Sequence, residues 1–373
     1  MKKYKILISG YYGFNNIGDE SILKAVVENL REKLRDIEIT VLSANPEDTA
    51  SRYGVRAVNR KSLRIVPAIA GSDLLISGGG SLLQDVTSSR SLKYYLYIIR
   101  TALLFGKDVF IYSQGIGPIN DEKNRRAVAG VLKKVSGIAV RDENSKLFLM
   151  DLGLPPEAVT VTADPVLRLP PMGTEEGARL LRDEGFIHDE TKRLIGFAVK
   201  EKRPDSAFMD ELFKSMKALL SEGNCEIVLI PFHFSEDIMP CSELERRLRE
   251  AGYGKEAVCL KHKYLTDEMM SIIGNMDMLC GVRLHSLIHA AIMSVPIIGI
   301  SYDPKVNSFL NSIDQKALSF TEDFKAKYFM EEYERVWKCR DEIKARMSER
   351  LRELVESLDK NEKMIEEIRN GKA

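Results

Sequence analysis

Lys5-Ile6-Leu7-Ile8-Ser9-Gly10-Tyr11-Tyr12-Gly13-Phe14-Asn15-Asn16-Ile17-Gly18-Asp19-Glu20-Ser21 is the stretch on which the fold is decided. A short apolar run, Lys5–Ser9, gives way to a turn of glycines and amides, and the turn leads into an amphipathic stretch over Ser21–Leu34. An apolar run without polar alternation reads as a strand covered on both faces, as in a parallel sheet. The basic start before it mimics a signal peptide, but the apolar part is too short and no cleavage site follows. The same unit recurs outward. Further apolar runs lie at Ile37–Leu42, Leu74–Ser77, Val109–Ser113 and Gly137–Val140, with helical patterns at Leu92–Leu104 and Glu122–Val135. Pro165, Pro170 and Pro171 then interrupt regular structure, and the alternation restarts. Leu194–Val199, Glu226–Ile230, Met278–Val282 and Pro296–Ile300 read as strands, with helices near Ser206–Ser221, Ser242–Ala251 and Asp267–Ile273. Beyond Glu322 the chain is helical and charged, and Ile343, Met347, Leu351, Leu354 and Leu358 mark one apolar face that calls for a packing partner. The pattern predicts an α/β protein of two doubly wound, Rossmann-like domains facing across a cleft, residues 1–165 and 166–320, with a helical tail over 321–373.

Composition excludes several classes. The 373 residues suit two domains. Lys plus Arg and Asp plus Glu both total 55, a balance that argues against bulk nucleic-acid affinity. No apolar run reaches the ~18–20 residues of a membrane span. The five cysteines are odd in number and form no CxxC pair, which predicts a reduced, cytoplasmic chain without a zinc knuckle.

Ligands of open α/β sheets bind outside the carboxyl ends of the strands, so the chemistry should follow the apolar runs. After the first run, Asn16, Gly18, Asp19 and Glu20 open a helix. Asp19 there reads two ways, as a carboxylate favouring the helix dipole or as the acceptor of a hydroxyl proton. Gly78-Gly79-Gly80-Ser81 follows the next strand pattern. It is neither a Walker loop nor a dinucleotide fingerprint, and it suggests close backbone approach to a ligand. Gln114-Gly115-Ile116-Gly117-Pro118 is a third turn of this kind, and Arg141 is the first polar residue after Gly137–Val140. In the second half, Arg283 and His285 follow one strand and Lys305 the next. With Arg141 they supply three permanent positive charges and one titratable group, which suits a small, multiply charged anion. His289, four residues after His285, has a spacing that would suit zinc, but no Glu follows His285 and no third ligand is evident. It reads as a packed histidine, with no metal expected. His188, His233 and His262 carry no signal of their own.

In their order and spacing, Asn16-Ile17-Gly18-Asp19-Glu20, Gly78-Gly79-Gly80, Gln114-Gly115-Ile116-Gly117-Pro118, Val140-Arg141-Asp142 and Arg283-Leu284-His285-Ser286 resemble the polysaccharide pyruvyl transferase family. The resemblance covers about residues 4–315. It implies a fold similar to two-domain GT-B glycosyltransferases. It also implies transfer of the pyruvyl group of phosphoenolpyruvate to a sugar such as β-N-acetylmannosamine, as a 4,6-ketal, in a cell-wall polysaccharide of the kind that anchors surface layers. Carried over by position, Arg141, Arg283 and Lys305 bind phosphoenolpyruvate and His285 is catalytic. Asp19 is the candidate base, and Asn16, Gly18, Gly79, Gly80 and Gln114 are candidate acceptor contacts. No cofactor is implied beyond the donor substrate. The implied acceptor is a lipid-linked glycan, hence peripheral contact at the inner membrane face, although the sequence offers no clear anchor. A nucleotide-sugar glycosyltransferase on the same architecture is the alternative. A non-catalytic glycan-binding module is a second, and it would tolerate loss of His285.

Overall fold

The computed structural model describes residues 3–86 and 88–371. Twelve strands are found among the described residues. The first seven are β1 (Tyr4–Tyr12), β2 (Ile37–Ser43), β3 (Arg56–Asn59), β4 (Leu74–Gly78), β5 (Asp108–Gln114), β6 (Gly137–Val140) and β7 (Thr160–Val161). They form one sheet in the order β3-β2-β1-β4-β5-β6-β7. The others are β8 (Arg193–Ala198), β9 (Cys225–Leu229), β10 (Ala257–Cys259), β11 (Met278–Gly281) and β12 (Ile297–Gly299), in the order β10-β9-β8-β11-β12. Every pairing in both sheets is parallel.

Helices link the strands. In the first half they are α1 (Ile17–Lys33), α2 (Pro46–Tyr53), α3 (Ile65–Ala70), α4 (Ser89–Leu104), α5 (Glu122–Leu132) and α6 (Glu143–Asp151). In the second they are α7 (Glu175–Asp183), α8 (Ala207–Ser221), α9 (Phe234–Glu250), α10 (Thr266–Gly274), α11 (Leu284–Ile292) and α12 (Pro304–Ser312). The chain ends in α13 (Ala326–Lys338), α14 (Arg340–Ser357) and α15 (Asp359–Arg369).

Both sheets are doubly wound, as the alternation predicts, and each has one place where the strand order reverses. In the first sheet it lies between β1 and β4, in the second between β8 and β11. All five residues of β4 and all five of β9 are buried, so these strands have no solvent face and no polar alternation. The strands missed in the sequence, β3, β7 and β10, are short and all lie at sheet edges, where no continuous apolar run is needed. β1 also runs further than its apolar core. The Tyr12 ring is buried and its hydroxyl donates to the Gly78 carbonyl at 2.9 Å, which keeps Gly10–Tyr12 in the sheet across a register shift.

Two compact units result, Met1–Arg168 with Leu354–Ala373, and Leu169–Glu353. The division at Arg168–Leu169 lies three residues beyond the boundary expected after residue 165. The tail, expected as a third segment, is instead divided between the units. Phe329, Tyr333 and Val336 of α13 and Ile343 of α14 join the apolar core of the second unit. α15 belongs to the first, where Glu362 accepts from the Tyr112 hydroxyl at 2.5 Å and from Arg168 Nη1 at 3.0 Å. Asn361 Nδ2 donates to Ser113 Oγ at 2.8 Å, and Ile365 and Ile368 are buried beside them. These helices carry apolar faces and inward polar groups that need a partner surface, so they pack on the units.

Candidate active site

The reversal point of a doubly wound sheet leaves a crevice, because the loops on its two sides turn to opposite faces. In the first unit these are the loops after β1 and β4. Asn16 caps α1, accepting from the Gly18 N–H at 3.2 Å, and its amide donates to Asp19 Oδ2 at 2.5 Å. Glu20 points the other way. It accepts from the Gly13 N–H and the Tyr53 hydroxyl, each at 2.8 Å, and burial raises its pKa against those hydrogen bonds. Asp19 therefore faces the glycine triplet and Glu20 the interior. A Cβ on Gly80 would stand 3.0 Å from Asp19 Oδ1, and one on Gly79, where φ is +95°, would stand 2.7 Å from the Tyr12 hydroxyl. Positive φ and close approach to β1 and α1 account for Gly79 and Gly80 structurally, whereas a Cβ on Gly78 would meet only ordinary contacts.

Gln114 and Arg141 stand at the ends of the neighbouring strands. Arg141 is buried, with Nη1 3.1 Å from Asp164 Oδ2, Nη2 3.3 Å from Ser81 Oγ and Nε 3.5 Å from Asp142 Oδ2. Its charge is matched by two carboxylates. Gln114 is fully buried, and neither atom of its amide finds a hydrogen-bond partner. A bulge precedes it: Ser113 takes φ +45° and the β5–β6 register shifts before Gln114. Such bulges re-aim a side chain at sites of function, and an orphaned amide costs about 1–3 kcal/mol.

In the second unit the cations gather at the equivalent edge. Arg283, after β11, donates from Nε to Asp237 Oδ2 at 2.9 Å and from Nη2 to Asp237 Oδ1 at 2.5 Å and Glu236 Oε2 at 2.9 Å. Burial works against its charge, and the two carboxylates outweigh burial and raise its pKa. Lys305, in the first turn of α12, has Nζ 3.1 Å from Asp303 Oδ2. The three permanent positive charges counted from sequence each carry a carboxylate partner, Asp164 and Asp142 for Arg141, Asp237 and Glu236 for Arg283, and Asp303 for Lys305.

The sequence reading missed Lys200 and Tyr302, which complete the cluster. Lys200 follows β8, and its Nζ sits 3.8 Å from the centroid of the Tyr302 ring, with Lys305 Nζ at 5.7 Å from the same ring. No carboxylate of a described residue is within ion-pairing range of Lys200. Burial lowers the Lys200 pKa, and Arg283 and Lys305 lower it further. Burial alone would raise the Tyr302 phenol, yet Lys305, Lys200 and Arg283 together bring it below its ordinary value. A lysine falls on burial or beside other cations, whereas a buried tyrosine falls only when its neighbours favour the phenolate, here the three cations together with a hydrogen bond from Lys200.

His285 lies in the first turn of α11, just after Arg283. His233, given no role from sequence, caps α9 at the same edge, 3.2 Å from Glu236 Oε2, and burial depresses its pKa. His289 stacks edge-on against Phe232 at 5.2 Å between centroids and is fully buried, a packed histidine. Lys200 was legible by the logic applied to Arg141, since it is the first charged residue after a strand.

Tyr302 gives a direct check. In an alkaline titration followed by near-ultraviolet absorbance, one tyrosine should ionise ahead of the others, and Tyr302→Phe should remove that early step. An unchanged early step in the variant would place the positive field elsewhere.

Three comparisons bear on the site. A family profile described as polysaccharide pyruvyl transferase matches residues 16–304. The amylovoran biosynthesis protein AmsJ of Erwinia amylovora is 20% identical, over 81% of this chain and 84% of that protein. Among solved structures, Anabaena HepE in complex with UDP-glucose superposes with a TM-score of 0.67 at 10% identity, covering 98% of this chain and 99% of that one. A putative UDP-N-acetylglucosamine 2-epimerase from Listeria monocytogenes gives 0.60 at 12% identity, covering 93% and 91%. These structural likenesses establish a fold of the GT-B class and nothing further about chemistry.

Proposed function

Because the chain belongs to the polysaccharide pyruvyl transferase family, and is a transferase on that account, we propose that its donor is phosphoenolpyruvate and its acceptor a cell-wall sugar with two free hydroxyls, β-N-acetylmannosamine by resemblance. The observation that carries the donor reading is the convergence of Lys200 and Lys305 on the Tyr302 ring, at 3.8 and 5.7 Å from its centroid, with Arg283 at the end of the strand beside them, where α/β ligands bind. The field of these three cations favours the phenolate of Tyr302. Phosphoenolpyruvate carries a phosphate and a carboxylate, and such a field supports a multiply charged anion better than a neutral sugar.

In the proposed reaction Arg141, Arg283 and Lys305 hold the donor's two anionic groups, and Lys200 adds a cation with no carboxylate of a described residue in ion-pairing range. His285 gives a proton to the methylene carbon, which becomes the methyl group, and a sugar hydroxyl bonds to the adjacent carbon as it loses its own proton. The bond from that carbon to the phosphate oxygen then breaks, phosphate leaves with the electron pair, and the second hydroxyl bonds to the same carbon and gives up its proton, which the released phosphate accepts, to close the ketal. Asp19 is proposed as the base for the hydroxyl proton, with Asn16, Gly18, Gly79, Gly80 and the orphaned Gln114 amide as acceptor contacts. No other cofactor enters this scheme. We place the reaction in the cytoplasm, with a lipid-linked acceptor.

The test is phosphate release from phosphoenolpyruvate with and without a β-N-acetylmannosaminide, alongside UDP-glucose as a rival donor. Acceptor-dependent release with an acid-labile mass gain on the sugar is the expected result. His285→Ala should then lose about two to four orders of magnitude in kcat, the range for a positioned proton-transfer group. Glucosyl transfer from UDP-glucose without any response to phosphoenolpyruvate would replace this reading with the glycosyltransferase one. Binding without turnover, unaltered in His285→Ala, would leave a binding module.

A further inference from the structure

The positively charged strand-edge site is not the only concentration of cations. Residues 49–72 and 86–107 together contain nine Lys and Arg and no Asp or Glu, in a chain whose charges otherwise balance. Both segments belong to the first unit; the first runs from the end of α2 through β3 and the turn before α3 to α3 itself, and the second carries α4. Arg90, Lys93, Tyr97, Arg100 and Leu104 are all exposed and recur at steps of three and four, one stripe along the outer face of α4. Lys61 and Arg64 are exposed in the turn before α3, with Leu63 at 95% exposure between them. Leu104 is 84% exposed at the far end of the stripe, followed by the exposed Phe105.

Two features set this face apart from ordinary surface. Within the two segments Arg52 pairs with Asp48 and Arg56 with Glu38, and elsewhere Arg125 pairs with Asp151 and Arg246 with Glu243 and Glu250. Lys61, Arg64, Arg90, Lys93 and Arg100, in contrast, have no carboxylate of a described residue within ion-pairing range. The turn is also fastened in place. Arg60 is buried with its guanidinium 4.4 Å from the centroid of Tyr94 on α4 and 5.1 Å from that of Phe14 in the loop after β1, and the Tyr94 hydroxyl donates to the Arg60 carbonyl at 3.1 Å. The basic face is therefore joined through Arg60 to the loop that carries Asn16 and Asp19.

We propose that the α3–α4 face docks on an anionic lipid bilayer, with Leu63, Tyr97, Leu104 and Phe105 entering the headgroup layer between the cations. The combination selects this partner. A nucleic acid or acidic protein would use the charges but would gain little from isolated leucines at the tips. A bilayer attracts unpaired Lys and Arg and buries apolar and aromatic side chains in the same plane. The docking itself does not depend on the donor chemistry. Its purpose, bringing a lipid-linked acceptor to the loops beside Arg60, rests on the function proposed above. No helix among the described residues is long and apolar enough to cross a membrane, so the contact is peripheral.

The experiment is flotation of the full chain with vesicles of phosphatidylglycerol and phosphatidylcholine, against phosphatidylcholine alone, at low and high salt. Binding to the anionic vesicles at low salt and release at high salt are expected. Arg64→Glu/Lys93→Glu/Arg100→Glu should weaken binding at least a hundredfold, since each cation near such a surface contributes roughly fivefold. Leu63→Asp should weaken it separately, including at salt concentrations that screen the charges. Both variants should release phosphate from phosphoenolpyruvate with a soluble acceptor at the wild-type rate. Wild-type protein that ignores anionic vesicles, or a triple variant that floats like wild type, overturns the proposal. So does retention on heparin with no vesicle binding, which would point to a polyanion partner. Vesicle binding that fails in the variants, together with no phosphate release from any form, would retain the docking face and reject the pyruvyl transfer reading instead.

Discussion

Lys305→Ala should lower kcat/KM for phosphoenolpyruvate by about two to three orders of magnitude while leaving the melting temperature nearly unchanged. The size follows from removing one preorganised cation from a transferring phosphate, where charge develops as the carbon–oxygen bond breaks. The neutrality toward stability follows from position. Lys305 lies at the start of α12 with a part-exposed side chain, and the cap of that helix is its backbone N–H bonded to Asp303 Oδ1 at 3.1 Å, which alanine retains. Its pairing with Asp303 is partly exposed and contributes little to folding. Steady-state kinetics across a range of phosphoenolpyruvate concentrations, beside a thermal melt, check both halves. A variant within tenfold of wild type would remove Lys305 from the reaction.

Arg283→Met should behave differently, losing turnover and stability together. Asp237 is fully buried, and its carboxylate is satisfied by Arg283 and by the His233 N–H at 2.8 Å. Removing the guanidinium leaves a buried charge with one backbone donor, a change that costs about 3–5 kcal/mol. For a unit of this size that corresponds to a drop of roughly 6–20 °C in its melting transition. Adding Asp237→Asn should recover much of the loss, because the amide oxygen still accepts from His233 N–H and no charge remains buried. Activity should not return with it. A single variant that melts like wild type, or a double variant no more stable than the single, would show that this pair does not hold the loops after β9 and β11 together.

Most of the scaffold was legible because parallel strands buried on both faces leave unbroken apolar runs. Gly137–Val140 coincides with β6, and Ile37–Leu42 and Met278–Val282 differ from β2 and β11 by a residue. The edge strands β3, β7 and β10 leave no such run, although the edge strand β12 does, and β1 exceeds its own because a tertiary contact, the Tyr12 hydroxyl on Gly78, extends it. At the candidate site, position after a strand was enough to single out Arg141, Arg283, His285 and Lys305. It could not reveal how charged they are in effect. The partners that matter, Asp164 for Arg141 and Asp237 for Arg283, lie 23 and 46 residues away in sequence. Tyr302 was overlooked for a related reason. A phenol between a serine and an aspartate is unremarkable in one dimension, and its meaning arises only when Lys200, about a hundred residues earlier, comes to lie on its ring.

The return of α15 to the first unit bears on the order in which the chain can be built. Tyr112 and Arg168 find the carboxylate of Glu362 only after nearly the whole polypeptide has been made, whereas the second unit lacks nothing once Glu353 has emerged. Domains usually mature from the amino end as synthesis proceeds. Here the amino-terminal half must wait, with a buried phenol and arginine uncovered, while its neighbour folds. A stop shortly before residue 359 would therefore spare the second unit, which ends at Glu353, and undo the unit that was translated first.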